Sequence, residues 1–394
     1  METPPAFDVP FASRTLVGSD CANLAGAELA RLGVTRAGVV ASRSVAASQA
    51  FQRWRDRLGG DHILFTDVSP HTPRDAVVSA IRTFRAAGCD GIVSFGGGSS
   101  IDTAKGAALG LATGIDDEGD LDDYVGEREA DGSPRPFRLD VTLPAHVAIP
   151  TTLSGAAHTH SAGVSNTSKG EKVLHIHPSL GPCTVLLDPV VTLETPTDLW
   201  TSTGVKALEH AVESLYSRSL PLLLEPIRMR AFTILTTDLV RTVGTASKQE
   251  ILKHRARVLA GVGMSVFAWP SGPLGVSHAL GHQAGATWHI RHGHSAAIFL
   301  PHALAFNAPA AESALCGMAL ALGARDPDPL AAVLGRLAEI SEQLQLPTRL
   351  RDVGVESTEA FDRLAKAAIH DPIMAGNPRP TTRDDLLELL HAAY

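Results

Sequence analysis

The chain has 394 residues, enough for two domains and for a core that folds without disulfide staples. A hydrophobic fraction of 44% with only 5% aromatics predicts a globular core built mainly from aliphatic side chains. The formal net charge of −8, with acidic and basic residues interspersed, leaves no basic stripe for a phosphate backbone and argues against a nucleic acid partner.

The cysteines and the opening segment indicate the compartment. Neither a CxxC pair nor a dense disulfide pattern is present, so we expect reduced, buried thiols at Cys21, Cys89, Cys183 and Cys316. The opening segment METPPAFDVPFASR lacks the basic flank and apolar run of a signal peptide, and no window has the apolar length of a membrane span. We therefore expect a soluble cytoplasmic protein with no membrane partner.

Between about residues 14 and 150, short β-branched runs alternate with Ala- and Arg-rich helical stretches, which is typical of βαβ units around a parallel sheet. The segment from Ala22 to Leu32 is the helix predicted between the first two strands. The predicted strands are Thr15 to Val17, Ala37 to Ala41, Gly91 to Phe95 and Val147 to Ile149. The first part of the chain is therefore predicted to be an α/β domain with a parallel sheet flanked by helices.

The pattern changes twice along the chain. Residues 113 to 138 are rich in Asp, Glu, Gly and Pro, which predicts a solvated surface excursion. After Asp188-Pro189 the β-rich runs stop, and long Ala/Leu-rich helical periodicity follows, as from Ile251 to Val266 and from Leu330 to Leu344. We predict a dinucleotide-binding domain over 1–188 and an all-α domain over 189–394.

A glycine run marks a candidate phosphate loop. An apolar strand leads into Gly96, Gly97 and Gly98, then Ser99 and Ser100, and an amphipathic helix follows. Glycines let a backbone approach a pyrophosphate, and the N-terminus of a helix directs free N–H groups at the anion. A glycine run alone is more often a turn, and this one is not GxGxxG, but the strand and helix around it favour a dinucleotide cradle.

The end of the second strand bears on which nicotinamide is bound. The sequence there reads Ala41-Ser42-Arg43, where a carboxylate would bind ribose hydroxyls. A serine and a guanidinium suit a 2′-phosphate, so NADP(H) is favoured over NAD(H). The alternative is that Arg43 is simply an exposed arginine.

Histidines in the second half form a candidate site. Lys206 and His210 are four residues apart on a helical pattern, as are His278 and His282, and His292 follows. A single helical histidine is usually structural, but several that converge suit a divalent metal or acid–base chemistry. A second group is predicted to consist of exposed loop residues rather than to line a substrate pocket: His158, His160, His175 and His177.

Taken in order, these segments resemble the iron-containing alcohol dehydrogenase superfamily, which includes glycerol dehydrogenases and, more distantly, dehydroquinate synthases. The motifs cover most of the chain: GGGSSIDTAK, IPTT, LLDP, GVKALEHAVESLYS, SHALGHQAG with RHGH, LPHALAFN and NPRPTTRDDLLELLHAAY. The resemblance implies a Rossmann-like domain binding NAD(P), a helical domain supplying a metal, a substrate in the cleft between them, and a homodimer. The spacing of PTTLSGAAHT is similar to that of the maleylacetate reductases.

The resemblance also implies roles for individual residues. The cofactor-binding positions are Gly97, Gly98, Ser99, Asp102, Thr151 and Thr152, in addition to Ser42 and Arg43. The metal-binding histidines are His210, His278 and His292, and His282 falls on the non-ligand histidine near the nicotinamide.

Two positions depart from the superfamily pattern. The fourth metal ligand of the superfamily is an aspartate, commonly asparagine in maleylacetate reductases, and here it is Lys206. Ala157 stands where many maleylacetate reductases have a glutamate. The iron or zinc is therefore either absent, or Lys206 is neutral or turned away.

These features support one leading hypothesis. It is a metal-independent reductase of a small carbonyl substrate, with catalytic residues Lys206, His278 and His282. Lys206 is alternatively an exposed helical lysine in a vacated site. Three further functions stay open: a metal-dependent alcohol dehydrogenase, a dehydroquinate synthase-like lyase that uses NAD transiently, and a non-catalytic binding homologue.

Overall fold

The computed structural model of the chain describes residues 13–128, 134–167, 171–244, 247–268, 274–325 and 327–394. Contacts within the chain divide it between Pro196 and Thr197 into an α/β unit and a helical unit. This division lies a few residues beyond the predicted boundary at 188/189. The opening segment up to residue 12 is outside the described residues.

The α/β unit is built on a six-stranded, fully parallel sheet in the order β1-β10-β7-β4-β2-β3. In chain order the strands are β1 (Arg14–Val17), β2 (Arg36–Val40), β3 (Asp61–Phe65), β4 (Gly91–Gly96), β5 (Glu127–Arg128), β6 (Pro134–Arg135), β7 (Ala145–Pro150), β8 (Ser161–Asn166), β9 (Glu171–Ile176) and β10 (Thr184–Leu187). The helices are α1 (Ala25–Arg31), α2 (Arg43–Ala46), α3 (Gln49–Leu58), α4 (Arg74–Ala86) and α5 (Gly98–Thr113). The predicted fold class is confirmed.

The central strand β4 shows why the predicted apolar runs are strands. All six of its residues are buried, as expected where helices cover both faces of a parallel sheet. Ile92 belongs to one apolar cluster, and Val93 and Phe95 belong to another. In the second cluster Phe95 packs on Phe51 and Trp54 with ring centroids 5.2 and 4.9 Å apart. The carboxyl end of β4 is thereby held firmly where the glycine loop begins.

The hairpin of β8 and β9 corrects the prediction that the second histidine group consists of exposed loop residues. His175 is buried on β9, with its Nδ1 2.7 Å from the Tyr124 carbonyl oxygen. His158, His160 and His177 are half-buried. A loop composition is misleading here because Ala162 and Val164 of β8 belong to an apolar cluster of the unit, and the paired strand β9 is buried with them at His175 and Ile176.

The acidic excursion contains more structure than a solvated loop. It includes a 3₁₀ turn over Asp120–Tyr124, which buries Leu121, and the short pair of β5 and β6. Most of its other described residues between 116 and 128 are exposed. Residues 129–133 lie outside the described part of the chain.

The helical unit consists of α6 (Thr197–Leu215), α7 (Glu225–Asp238), α8 (Lys248–Ser265), α9 (Val276–Trp288), α10 (His292–Asn307), α11 (Glu312–Ala321), α12 (Pro329–Gln343), α13 (Phe361–Ala368) and α14 (Arg383–Ala392). Helices α8 and α12 match the two periodic stretches in the sequence. A core that includes Leu280, Phe299 and Phe361 packs α9, α10 and α13 together. Among the described helices, none combines the length and apolar character needed to cross a membrane.

The cysteines are all free, but they are not all buried. Cys21 and Cys89 are buried, Cys183 is half-buried and Cys316 is exposed. The expectation of four buried thiols is therefore wrong for Cys183 and Cys316, since Cys316 lies on the outward face of α11.

Candidate active site

The glycine loop joins the end of β4 to the start of α5. Gly96 has φ of +150°, and a Cβ there would lie 2.5 Å from Ser100 Oγ, so only glycine fits without strain. Gly97 is the N-cap, Gly98 and Ser99 open the helix, and no side chain in the described part of the chain caps it. The first N–H groups of α5 are therefore available to an anion.

Two predicted threonines lie beside this loop. The Thr151 N–H donates to the Gly96 carbonyl (2.9 Å), which ties the ends of β7 and β4 together. A Cβ on Gly97 would lie 3.1 Å from the Thr152 side chain. Thr152 is buried, and within the described residues its Oγ1 has no hydrogen-bond partner. A buried hydroxyl of this kind beside a glycine loop fits a dinucleotide that brings its own polar atoms.

The three remaining predicted cofactor residues lie on two helices: Asp102 on α5, and Ser42 and Arg43 at the start of α2. Asp102 Oδ2 accepts a hydrogen bond from the Gly163 N–H on β8 (3.3 Å). Ser42 caps the short helix α2, and Arg43 is 79% exposed in an ion pair with Asp67 (3.0 Å). An exposed guanidinium with a single exposed partner can turn to another anion at little cost.

In the helical unit the four predicted histidines converge. His210 comes from α6, His278 and His282 from α9, and His292 from the first residue of α10. The ring of His278 lies 5.3, 4.7 and 5.9 Å from those of His210, His282 and His292, centroid to centroid. The rings of His282 and His292 are 5.5 Å apart. Three helices thus bring four imidazoles into one cluster, which we call the histidine cluster.

A close backbone contact sets the position of His292. The next residue, Gly293, packs on α6 so tightly that a Cβ would lie 1.9 Å from the Ser202 carbonyl oxygen. Only glycine allows the two helices to approach this closely. The RHGH motif therefore places its first histidine by means of the glycine that follows it.

Carboxylates from α6 hold the start of α9. Glu213 is fully buried and accepts the N–H groups of Ser277 (2.9 Å) and His278 (3.3 Å), so it caps α9 from a neighbouring helix. Tyr216 Oη also donates to Glu213 (3.3 Å). Burial and the nearby charge of Glu209 raise the pKa of Glu213.

Glu209, four residues earlier, holds the side chains at the same place. It is 2% exposed, its Oε2 lies 3.1 Å from His278 Nδ1, and the Ser277 hydroxyl donates to its Oε1. Potential ligand atoms of Glu209, Glu213 and His278 lie within 4.8 Å of one another. Because both carboxylates already accept hydrogen bonds from α9, we interpret this group as a hydrogen-bond network rather than as a cation site.

Lys206 lies one turn before His210 on α6 and is half-buried, so it is not a fully exposed surface lysine. Burial, together with the charge of Lys206, holds the pKa of His210 well below its ordinary value. The neutral form of the His210 imidazole is therefore favoured.

His282 has a carboxylate partner that the sequence did not indicate. Asp371 Oδ2 lies 2.7 Å from His282 Nδ1, and its Oδ1 accepts the Ile373 N–H at the start of a 3₁₀ turn. Burial alone would raise the pKa of Asp371, but the hydrogen bond and charge of His282 outweigh it and lower that pKa. The carboxylate fixes the orientation of the ring and directs Nε2 away from Asp371.

The structure therefore assembles the predicted histidines and adds three carboxylates that sequence reasoning missed. Glu209 and Glu213 could have been found, since they follow Lys206 at helical spacings of three and seven. Asp371 gave no such signal, because 89 residues separate it from His282.

Comparison with known proteins places this arrangement in a family. Residues 12–189 match the family described as iron-containing alcohol dehydrogenase, and residues 200–394 match the C-terminal part of the Fe-containing alcohol dehydrogenase family. The chain belongs to the iron-containing alcohol dehydrogenase family. As a member it is an oxidoreductase.

Proteins similar to this chain include several differently named dehydrogenases and reductases. The probable alcohol dehydrogenase EutG of Salmonella typhimurium is 32% identical over 80% of this chain and 76% of its own length. The 1,3-propanediol dehydrogenase of Citrobacter freundii is 28% identical over 96% of this chain and 95% of its own. A crystal structure of a 1,3-propanediol oxidoreductase superposes with a TM-score of 0.90 at 25% identity, covering 99% of this chain and 100% of that one. Maleylacetate reductase from Agrobacterium tumefaciens shares the fold, with a TM-score of 0.81 at 24% identity, covering 100% of this chain and 99% of that one.

The residues of the histidine cluster do not fit the four-ligand cation site that the family resemblance implies. His210, His278 and His292 offer imidazole nitrogens, but the fourth ligand position carries Lys206. A protonated lysine has no lone pair to donate, and at contact distance it repels a divalent cation by several kcal/mol even at an effective dielectric of about 20. The chain thus has a lysine at the position where the family pattern has a metal-binding aspartate.

Proposed function

We propose that this chain is a metal-independent carbonyl reductase that uses NADPH to convert a small keto acid or aldehyde into an alcohol. The observation that carries the proposal is the half-buried Lys206, one helical turn before His210 of the histidine cluster, in a family member. An ammonium group in a partly desolvated site can stabilise a developing alkoxide, as a Lewis-acid metal does elsewhere.

Bound NADPH would supply the hydride to the carbonyl carbon of the substrate. As the carbonyl π electrons move onto oxygen, Lys206 would donate a hydrogen bond to that oxygen. His282 would then give the oxygen a proton, while Asp371 holds its ring through Nδ1 (2.7 Å). His278, held by Glu209, would line the pocket for the substrate carbonyl.

The α/β unit supports the cofactor part of the proposal. The uncapped start of α5 and the buried hydroxyl of Thr152 suit the pyrophosphate region of a dinucleotide. Arg43 would bind the 2′-phosphate of NADPH in exchange for Asp67, with Ser42 beside it.

The test is to purify the full chain, measure bound metals by mass spectrometry, and screen keto acids and aldehydes with NADPH and NADH by absorbance. We expect no stoichiometric iron or zinc, turnover that survives chelation, and a preference for NADPH. Lys206→Met should lower kcat about 100- to 1000-fold, the usual effect of removing one oxyanion donor. The matched control is Lys253→Met, an exposed lysine on α8, which should leave kcat unchanged.

Several outcomes would contradict the proposal. Tightly bound iron or zinc at one ion per chain, with activity lost on chelation, would favour the metal-dependent alcohol dehydrogenase that three histidines also suit. Product formation without net oxidation of NADPH would favour a lyase. Failure to bind either nicotinamide by calorimetry would favour a non-catalytic homologue.

A further inference from the structure

Helix α6 carries four polar side chains along one stripe. They share a face because Glu209, His210 and Glu213 follow Lys206 by three, four and seven residues. The two glutamates are 2% and 0% exposed. Buried carboxylates on the same face as a lysine need an explanation, because burying an ionised group without a partner is strongly unfavourable.

The two glutamates contact different parts of α9. Glu213 accepts backbone N–H groups and so fixes the helix end. Glu209 accepts from the side chains of Ser277 and His278 and so fixes the imidazole. With a carboxylate at Nδ1, the His278 ring carries its proton there and presents Nε2 on its other edge.

Glu209 is also linked to Lys206. They lie one helical turn apart on the same face of α6. Burial raises the pKa of Glu209 to about 7, although the Ser277 hydrogen bond and the charges of Lys206 and His282 act to lower it. Glu209 thus contacts a ring of the histidine cluster and lies one turn from Lys206 on the same face of α6. Glu213, by contrast, is influenced chiefly by burial and by Glu209.

We infer that Glu209 is a positioning residue: its carboxylate is the counter-charge that retains the ammonium of Lys206 in the histidine cluster and orients His278. The inference rests on the proposed role of Lys206. In the family pattern an anion on α6 contacts a cation held by histidines. In this chain the cation is part of α6, and the anion follows it one turn later.

The experiment is a double-variant cycle in the full chain, using Lys206→Met, Glu209→Gln and the two together. Glutamine keeps an acceptor for His278 and Ser277 but removes the charge. We expect Glu209→Gln to lower kcat about tenfold, as loss of a residue that supports a ligand or catalytic side chain commonly does. The KM for NADPH should change less than about twofold. In the Lys206→Met background the same change should have little further effect on kcat, because the charge it balances is already gone.

Glu209→Asp supplies a second variant, since it keeps the charge on a shorter stem and should recover much of the lost kcat. The matched control is Glu213→Gln. It should lower the denaturation midpoint equally with and without Lys206, because it acts on the end of α9. Equal losses from Glu209→Gln in both backgrounds would overturn the inference.

Failure of the proposed function can be told apart from failure of this inference. If Lys206→Met leaves turnover unchanged, or if no turnover is found, the proposed function fails. The denaturation midpoints of the same variants then test, without any measurement of turnover, whether Lys206 and Glu209 interact. Non-additive midpoints for Lys206 and Glu209 would support it, and additive midpoints would overturn it.

Discussion

The glycine loop of the α/β unit and the histidine cluster of the helical unit present polar atoms in different ways. The loop uses backbone N–H groups at the start of α5, and its side chains are small and uncharged. The histidine cluster uses ionisable side chains from three helices, and carboxylates hold two of its rings, those of His278 and His282. The glycine loop therefore depends on the space left by missing side chains, whereas the histidine cluster depends on a balance of charges. Substitutions in each region can test that contrast.

The largest expected effect comes from a glycine beside the histidine cluster, where close packing of two helices leaves no room for a side chain. In Gly293→Ala the new methyl group would meet the Ser202 carbonyl at 1.9 Å, so α6 and α10 must separate. We expect a loss of about 3 kcal/mol in the free energy of unfolding, at the upper end for overpacking. Chemical denaturation would measure it.

The matched control for this change is Gly335→Ala in the middle of α12, where a Cβ would meet nothing within 4 Å. Because alanine is the better helix former, that variant should gain up to about 1 kcal/mol. Equal stability of the two variants would show that the contact between α6 and α10 is not tight.

The pH dependence of stability tests whether the α/β unit keeps its buried groups neutral. Burial, aided by the charge of Lys105, lowers the pKa of His146 from 6.5 to about 3, and its Nε2 lies 2.8 Å from Ser94 Oγ. Between these two pH values the unfolded chain binds a proton that the folded chain does not. The contribution of neutral His146 to the free energy of unfolding is thus complete above pH 6.5 and is lost as the pH falls towards 3.

The variant that tests this is His146→Gln. Midway between pH 3 and pH 6.5, the free energy of unfolding of this variant should fall less steeply with decreasing pH than that of the wild type. The two slopes should differ by about 1.4 kcal/mol per pH unit. Ser94→Ala is the control, since it keeps the histidine and should keep the slope. Parallel curves for wild type and His146→Gln would show that His146 is not responsible.

A smaller effect is expected when the charge of the carboxylate that holds His282 is removed without changing the shape of the side chain. Asp371→Asn should lower kcat about 10- to 100-fold, because the amide no longer favours the Nδ1-protonated ring of His282. The control is Asp385→Asn, which alters a carboxylate that caps α14. Steady-state turnover with NADPH measures both, and unchanged turnover in Asp371→Asn would remove Asp371 from the mechanism.

The smallest effect is expected at the edge of the cofactor region. Arg43→Ala should raise the KM for NADPH up to about fivefold and leave that for NADH unchanged, because an exposed ion pair contributes at most about 1 kcal/mol. Arg57→Ala on α3 is the exposed control. An equal effect on both nicotinamides would exclude recognition of the 2′-phosphate by Arg43.

The sequence predicted the parts of this molecule that depend on local pattern. Buried strands such as β4 and periodic helices such as α8 follow from residue order, and the glycine loop follows from the strand and helix around it. The convergence of the four histidines followed from the family resemblance. The support of His282 by Asp371 did not, because tertiary packing alone brings them together. Loop-like composition also concealed the hairpin that buries His175.

The polar stripe on α6 is short enough to be recognised in a sequence without a structure. Its lysine, histidine and two glutamates occupy only eight consecutive residues, from Lys206 to Glu213. If Lys206 and Glu209 work as a pair, the sequence motif K-x-x-E-H-x-x-E identifies this variant of the site. Relatives that carry this motif could then be distinguished from metal-dependent members by inspection of the sequence.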